Sequence, residues 1–379
     1  MIYFDNAATT RISDKVYEIM QEGLRHRYAN PSAGYQWAKE ERKKVEKARA
    51  DIADTLHAQG KEIYFTSGGS ESDNWALRGI ADAYKEKGRH LITSRIEHKA
   101  VLKSCEFLEK NGYEVTYIGV DHRGNIKLDE LRKAIRPDTI LVSVMYANNE
   151  IGTLMKIKEI ARIAHSQNAL FHTDAVQAYG HYEIDCNKLG IDLLSASGHK
   201  FHGPKGVGFL YKRDGIRISP LIYGGAQEQG VRAGTEYTIG IEGMAVAAKE
   251  AYADFSQESL KIKQMRDLLW KELKENIQEI SLVGEKENRA YHHLSVCIKG
   301  VNALNLADQL GERKICISTG SACNGMQLKV SHVLKAIGMS EADAKATIRI
   351  SLSRYNNRDE ISTFVEELRS TVNIMRQIY

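Results

Sequence analysis

Short apolar runs alternate with amphipathic stretches through the first two thirds of the chain. Ile63–Thr66, Leu91–Ser94, Val115–Val120, Thr139–Met145, Phe171–Asp174, Ile191–Leu194 and Val207–Tyr211 are strand-length and bounded by turn residues, so they read as buried strands. Between them, Ala38–Leu56, the stretch from Glu71, Leu128–Ile135 and Ile157–Ser166 carry apolar residues at helical spacing. Ser13 is placed to cap an earlier helix. A strand–helix–strand rhythm of this kind builds a mostly parallel sheet with helices on both faces. Gly240–Tyr252 reads as a helix closing this unit, and a long charged helix begins near Gln257. Beyond it the pattern continues through His293–Lys299, Leu304–Leu310, Ile315–Ser318, Ser331–Ile337, Thr347–Ser351 and Asp359–Met375. The expected fold class is α/β, with a large domain over residues 1–255 and a smaller α/β domain over 256–379.

Composition narrows the function classes. At 379 residues and 42% hydrophobic, the chain can bury a large core in two domains. A net charge of +4, with no Lys/Arg block interleaved with aromatics, argues against nucleic acid as a partner. The five cysteines, Cys105, Cys186, Cys297, Cys316 and Cys323, lie far apart and form no C-x-x-C pair. A zinc ribbon or a redox dithiol is therefore unsupported, no metal is expected, and a reducing cytoplasm suits the chain. Met1–Asp5 enters a strand-like run without a leader-type pattern, and no apolar run is long enough to span a membrane.

The chemistry sits at the strand ends. Ala196-Ser197-Gly198-His199-Lys200-Phe201-His202-Gly203-Pro204-Lys205-Gly206 is a glycine- and proline-filled turn between two buried strands. A lone loop lysine is ordinarily solvated. One held at the end of a buried strand is partly desolvated, which lowers its pKa and makes it a nucleophile towards carbonyls. Asp174 ends the Phe171 strand upstream. An aldehyde-anchoring lysine with an acid from a neighbouring strand is what pyridoxal 5′-phosphate requires, the acid keeping its ring nitrogen protonated. Ser67-Gly68-Gly69-Ser70 joins a strand to a helix, a geometry that suits a phosphate. A dinucleotide-binding turn would look similar, but the full G-x-G-x-x-G spacing is missing. Cys323 lies in the small, polar run Ile317-Ser318-Thr319-Gly320-Ser321-Ala322-Cys323-Asn324-Gly325-Met326-Gln327, off any apolar face, whereas Cys297 and Cys316 read as core.

These motifs resemble the fold-type I pyridoxal-phosphate enzymes of the class V aminotransferase group, and within it the cysteine desulfurases of the iron–sulfur cluster assembly type. The resemblance runs from Asp5-Asn6-Ala7-Ala8-Thr9-Thr10, through D-A-x-Q at Asp174–Gln177 and S-x-H-K at Ser197–Lys200, to the region of Arg349. It implies a phosphate site at Gly69 and Ser70, and His98 over the cofactor ring as acid or base. It also implies cofactor contacts from Ser197 and His199, a Gln177 hydrogen bond to the phenolic oxygen, and Asn149 against cofactor or substrate. Arg349 then grips the substrate carboxylate as a bidentate fork. The loop Gly224-Gly225-Ala226-Gln227-Glu228-Gln229-Gly230-Val231-Arg232-Ala233-Gly234-Thr235 implies a homodimer, with Thr235 reaching the partner subunit's cofactor phosphate. Cys323 is then the nucleophile that takes sulfur from L-cysteine, yielding L-alanine and a persulfide for a protein acceptor. Gly34-Tyr35-Gln36 departs from the family's loop, so no role is placed there. The chain's end at Tyr379 leaves little room for a scaffold-gripping tail. Selenocysteine lyase, another class V activity and a non-catalytic sulfur relay remain open.

Overall fold

The computed structural model describes residues 1–324 and 327–378, with side chains described for 1–320 and 330–377. Its strands run β1 (Ile2–Tyr3), β2 (Ile63–Thr66), β3 (His90–Ser94), β4 (Glu114–Ile118), β5 (Thr139–Ser143), β6 (Leu170–Asp174), β7 (Leu193–Ser197) and β8 (Gly208–Lys212). After two long helices, Thr238–Ala253 and Phe255–Asn276, come β9 (Ile280–Leu282), β10 (His293–Ile298), β11 (Ile315–Cys316), β12 (Ser318–Thr319), β13 (Ser321–Asn324), β14 (Gln327–Val330) and β15 (Thr347–Ser351). The helix Arg358–Ile378 follows.

Seven strands form one sheet in the order β2-β8-β7-β6-β5-β3-β4. β8 is antiparallel to both β2 and β7, and the remaining neighbours are parallel. β3, β5, β7 and β8 are buried along their whole length, as helices on both faces of a parallel sheet require. A second, four-stranded sheet in the order β12-β15-β10-β9 has its own apolar core, to which Phe4, Leu294, Ile348 and Phe364 belong. The N-terminal segment joins this second unit: β1 runs parallel to β11, and Asp5 bridges to Ser351. The first helix, Asp14–His26, starts where Ser13 caps the Val16 N–H. Among the described residues, no helix is long and apolar enough to cross a membrane.

Most apolar runs become the elements their periodicity predicts. The run Ile315–Ser318 is instead two short strands, β11 and β12, which pair with different partners. Ser321–Asn324, which reads as loop from its small polar residues, pairs with Gln327–Val330 as a hairpin. Cross-strand backbone hydrogen bonds override the weak strand propensity of that stretch. Cys316, expected in the core, is only half-buried.

Candidate active site

The carboxyl ends of the parallel strands open into a cavity of about 350 Å³. Ligands of open α/β sheets gather at this edge. Lys200, His199 and Ser197 reach the cavity from the turn after β7, and Asp174, Val176 and Gln177 from the end of β6. Gly69, Ser70 and Asp73 come from the start of the helix Gly69–Ala83, His98 from the turn after β3, and Asn149 from the loop after β5. Ala7 and Ala8 close one side from the N-terminal segment, and Arg349 enters from β15 of the other sheet.

Lys200 is half-buried, without a carboxylate on its amine. Its Nζ donates to the carbonyls of Ala7 (2.7 Å) and Ala8 (2.8 Å). Burial, aided by the nearby positive charge of Arg349, lowers its pKa to about 8. Roughly a tenth of the amine is then neutral, and nucleophilic, at pH 7. The turn that carries it is stitched to the N-terminal segment: Thr10 N–H donates to the His199 carbonyl (2.9 Å), and His202 N–H to the Thr10 hydroxyl (2.8 Å). His199 shares a 3.0 Å hydrogen bond with Thr9, and burial beside Lys200 pushes its pKa down to about 4. Gln177 donates to the Ala7 carbonyl (2.9 Å), which leaves its amide oxygen without a bond in the described network.

At the opposite end, Gly68 sits at φ +149°, which favours glycine, and caps the helix that starts at Gly69. A Cβ on Gly69 would lie 2.5 Å from the Val176 side chain, so only glycine lets this helix end approach the end of β6 so closely. The free N–H groups and the exposed Ser70 form a cradle for an anion. A third group of residues stands in the same cavity: Asp73, His98 and Asp174 each bring one ligand-type atom within 4.8 Å of the others.

Asp174 is buried and accepts the Val176 N–H at 2.9 Å, and His98 and Lys200 pull its pKa back against the rise that burial causes. His98 is exposed and caps the helix Lys99–Lys110, its Nδ1 accepting the Ala100 N–H. Arg349 donates from Nη1 to the Asn149 carbonyl (2.9 Å) and from Nη2 to Asp5 (2.7 Å) and the Ser318 hydroxyl (2.9 Å), while its buried Nε has no hydrogen-bond partner. A substrate carboxylate seeking both Nη atoms must therefore displace Asp5 or Ser318.

Two predicted residues lie apart from this cluster. Thr235 is exposed and does not line the cavity. Its loop is anchored by Glu228, which takes two hydrogen bonds from Arg49 and one from the Phe65 N–H. Cys323 pairs through its backbone with Leu328, and its side chain lies outside the described residues. The root of that hairpin is tied to the loops around the cavity. Ser331 N–H donates to the Gly320 carbonyl, Ser331 bonds Glu150, and His332 bonds the Glu97 carbonyl. Ser318, two residues before Gly320, pairs with Arg349 across β12 and β15.

Sequence reasoning passed over Asp5, the Ala7 and Ala8 carbonyls, and Asp73. Backbone acceptors leave no trace in residue type. Asp73 did leave one: it shares a helix stripe with Leu77 and Ile80, both fully buried, and an acid on an apolar stripe is anomalous. The donor set fits pyridoxal 5′-phosphate. An amine with a lowered pKa, a buried acid and an anion cradle stand at separate edges of one cavity sized for a small organic molecule.

The model of the Aminotransferase class-V family matches residues 2–364. A cysteine desulfurase IscS of Methanosarcina thermophila is 46% identical over 377 residues, covering 100% of this chain and 93% of that protein. One from Dictyoglomus turgidum is 43% identical, covering 100% and 96%. Among solved structures, a NifS-like protein superposes with a TM-score of 0.93 at 38% identity, over 98% of this chain and 99% of the other. The structure titled SspA in complex with cysteine gives 0.83 at 40% identity, over 94% and 100%. The chain therefore belongs to the class-V aminotransferase family, with the fold-type I architecture and pyridoxal-phosphate dependence of that group, and is similar along its length to cysteine desulfurases.

Proposed function

We propose that this protein is an L-cysteine desulfurase that passes sulfur to a protein acceptor through Cys323. The observation that carries the reading is the Lys200 amine: desolvated, without a carboxylate partner, and in one cavity with Asp174 and Arg349. When bound, pyridoxal 5′-phosphate supplies an aldehyde that holds the substrate amine and a ring that draws electrons from its α-carbon. Lys200 would anchor that aldehyde, Gly69 and Ser70 would hold the phosphate, Asp174 would serve the ring nitrogen, and His98 would act on the ring as acid or base. Ser197, His199 and Gln177 complete the cofactor contacts. Arg349 and Asn149 fix the substrate carboxylate, and Lys200, once released, moves the proton at the substrate Cα.

Cys323 acts as its thiolate. A bond forms between its sulfur and the substrate sulfur as the Cβ–S bond breaks, and that electron pair stays with the carbon skeleton. Protonation of the skeleton gives L-alanine, and Cys323 is left as a persulfide for iron–sulfur cluster, thio-cofactor or tRNA thiolation chemistry. The proposal places the protein in the cytoplasm and divides the chain at residues 255 and 256, one residue into the helix Phe255–Asn276 that follows Thr238–Ala253. It also makes the protein a homodimer. Exposed Leu24 on the first helix, Tyr28 just beyond it and Trp37 on the helix Gln36–Thr55, with Tyr223 and Tyr237 around the Thr235 loop, support that assembly.

The test is alanine formation from L-cysteine by the cofactor-loaded protein and by Cys323→Ser. The parent makes alanine and a protein persulfide; the variant keeps the yellow cofactor and makes no persulfide. Unchanged persulfide formation in Cys323→Ser removes that residue from the role, and a yellow protein that makes no alanine moves the function to another amino acid.

A further inference from the structure

We propose that Asp73 and Asp174 form an acid pair holding a single proton, and that Asp73 carries it, so that Asp174 stands ionised where the cofactor's ring nitrogen binds. The part that concerns the cofactor rests on the proposed function; the location of the proton does not. Asp73 is 1% exposed, and its Oδ1 is buried without a hydrogen-bond partner. Its carboxyl lies in the group whose ligand-type atoms, from Asp73, His98 and Asp174, are all within 4.8 Å. Two buried carboxylates that close together repel, and at little cost only one ionises.

The surroundings decide which one. Asp174 accepts the Val176 N–H and faces Lys200 and His98. Among the described residues Asp73 has no backbone donor, and of the groups that shift it the Ser195 hydroxyl is the one that favours its ionised form. His172 Nε2 stands 3.8 Å away. Its two ring nitrogens are engaged by Ser143 (2.8 Å) and Ser195 (3.0 Å), and burial pushes its pKa down to about 3, so it brings no charge. Glu97, the other acid near Asp73, is fully buried and pushed up to about 8. Burial and the neighbouring Asp174 hold the Asp73 proton well above the usual carboxylate range. Asp73 is thus a positioning residue. It acts through Asp174, keeping the pair at one negative charge, which matches one protonated ring nitrogen.

The experiment is infrared spectroscopy of the cofactor-free protein at neutral pH, comparing the parent with Asp73→Asn and using Glu97→Gln to identify the Glu97 band. The parent shows a protonated-carboxyl C=O band that Asp73→Asn loses and Asp174→Asn keeps, because burial is the largest of the causes that hold that proton; loss of the band in Asp174→Asn overturns the proposal. A parent without an Asp73 protonated band overturns the proposal. Asp174→Asn decides the matter even where Asp73→Asn fails to fold. In the loaded protein, Asp73→Asn leaves the absorbance titration of the bound cofactor in place. A shift of that titration to lower pH means that a negative charge was removed, and overturns it. Failure to bind cofactor overturns the proposed function while the infrared band still decides the acid pair.

Discussion

The two cations of the cavity come from different sheets and have opposite surroundings. Lys200, at the end of β7 in the seven-stranded sheet, meets only the neutral carbonyls of Ala7 and Ala8. Arg349, on β15 of the four-stranded sheet, meets the carboxylate of Asp5 as well as Ser318 and the Asn149 carbonyl. Burial without a counter-ion destabilises the charged form and produces a nucleophile. Burial with a counter-ion keeps the charge and fixes its direction, which suits a clamp. One polypeptide segment sets both environments, since Asp5 and the two carbonyls lie within four consecutive residues.

The largest effect expected is at the unpaired cation. Lys200→Ala removes the anchoring amine, so borohydride reduction no longer fixes the cofactor to the protein, and turnover falls by about 10³-fold, within the range of lost acid–base catalysis. Covalent fixation that survives in Lys200→Ala would show that another amine holds the aldehyde. At the paired cation the loss is milder and appears in KM. Arg349→Ala raises the KM for L-cysteine by roughly 10- to 100-fold, the value of about 1.5–3 kcal/mol for charge-assisted hydrogen bonds, with a smaller change in kcat. An unchanged KM would remove Arg349 from carboxylate binding.

The two sheets also differ in how much their sequence disclosed. The apolar run Ile63–Thr66 coincides with β2, because burial on both faces demands uninterrupted apolar residues, while Thr347–Ser351 coincides with β15 through the polar–apolar alternation of a strand. Lys200 and Asp174 were visible because each ends such a run. The hairpin of Cys323 was not, since its backbone pairing is carried by residues of no marked strand preference. Asp5 lies 344 positions from Arg349, and the carbonyls that hold Lys200 more than 190 positions from it, so spacing along the chain cannot reveal either contact.

The smallest effect is the sharpest test of the comparison, because the two variants must move in opposite directions. The Lys200 pKa is lowered first by burial and then by Arg349, while Asp174 and Asp5 raise it. Removing the Arg349 charge relieves a repulsion and moves the Lys200 pKa up from about 8. Replacing Asp5 by Asn removes an attraction and moves it down. The rate at which cofactor-free protein captures pyridoxal 5′-phosphate rises with pH as the amine loses its proton. The midpoint of that rise therefore shifts to higher pH in Arg349→Ala and to lower pH in Asp5→Asn, each by less than about one unit. The cofactor's own ionisations are common to parent and variants and cancel in the difference. Shifts of the same sign in both variants would mean that the Asp5–Arg349 pair acts on Lys200 as one neutral unit, and that burial alone separates the nucleophile from the clamp.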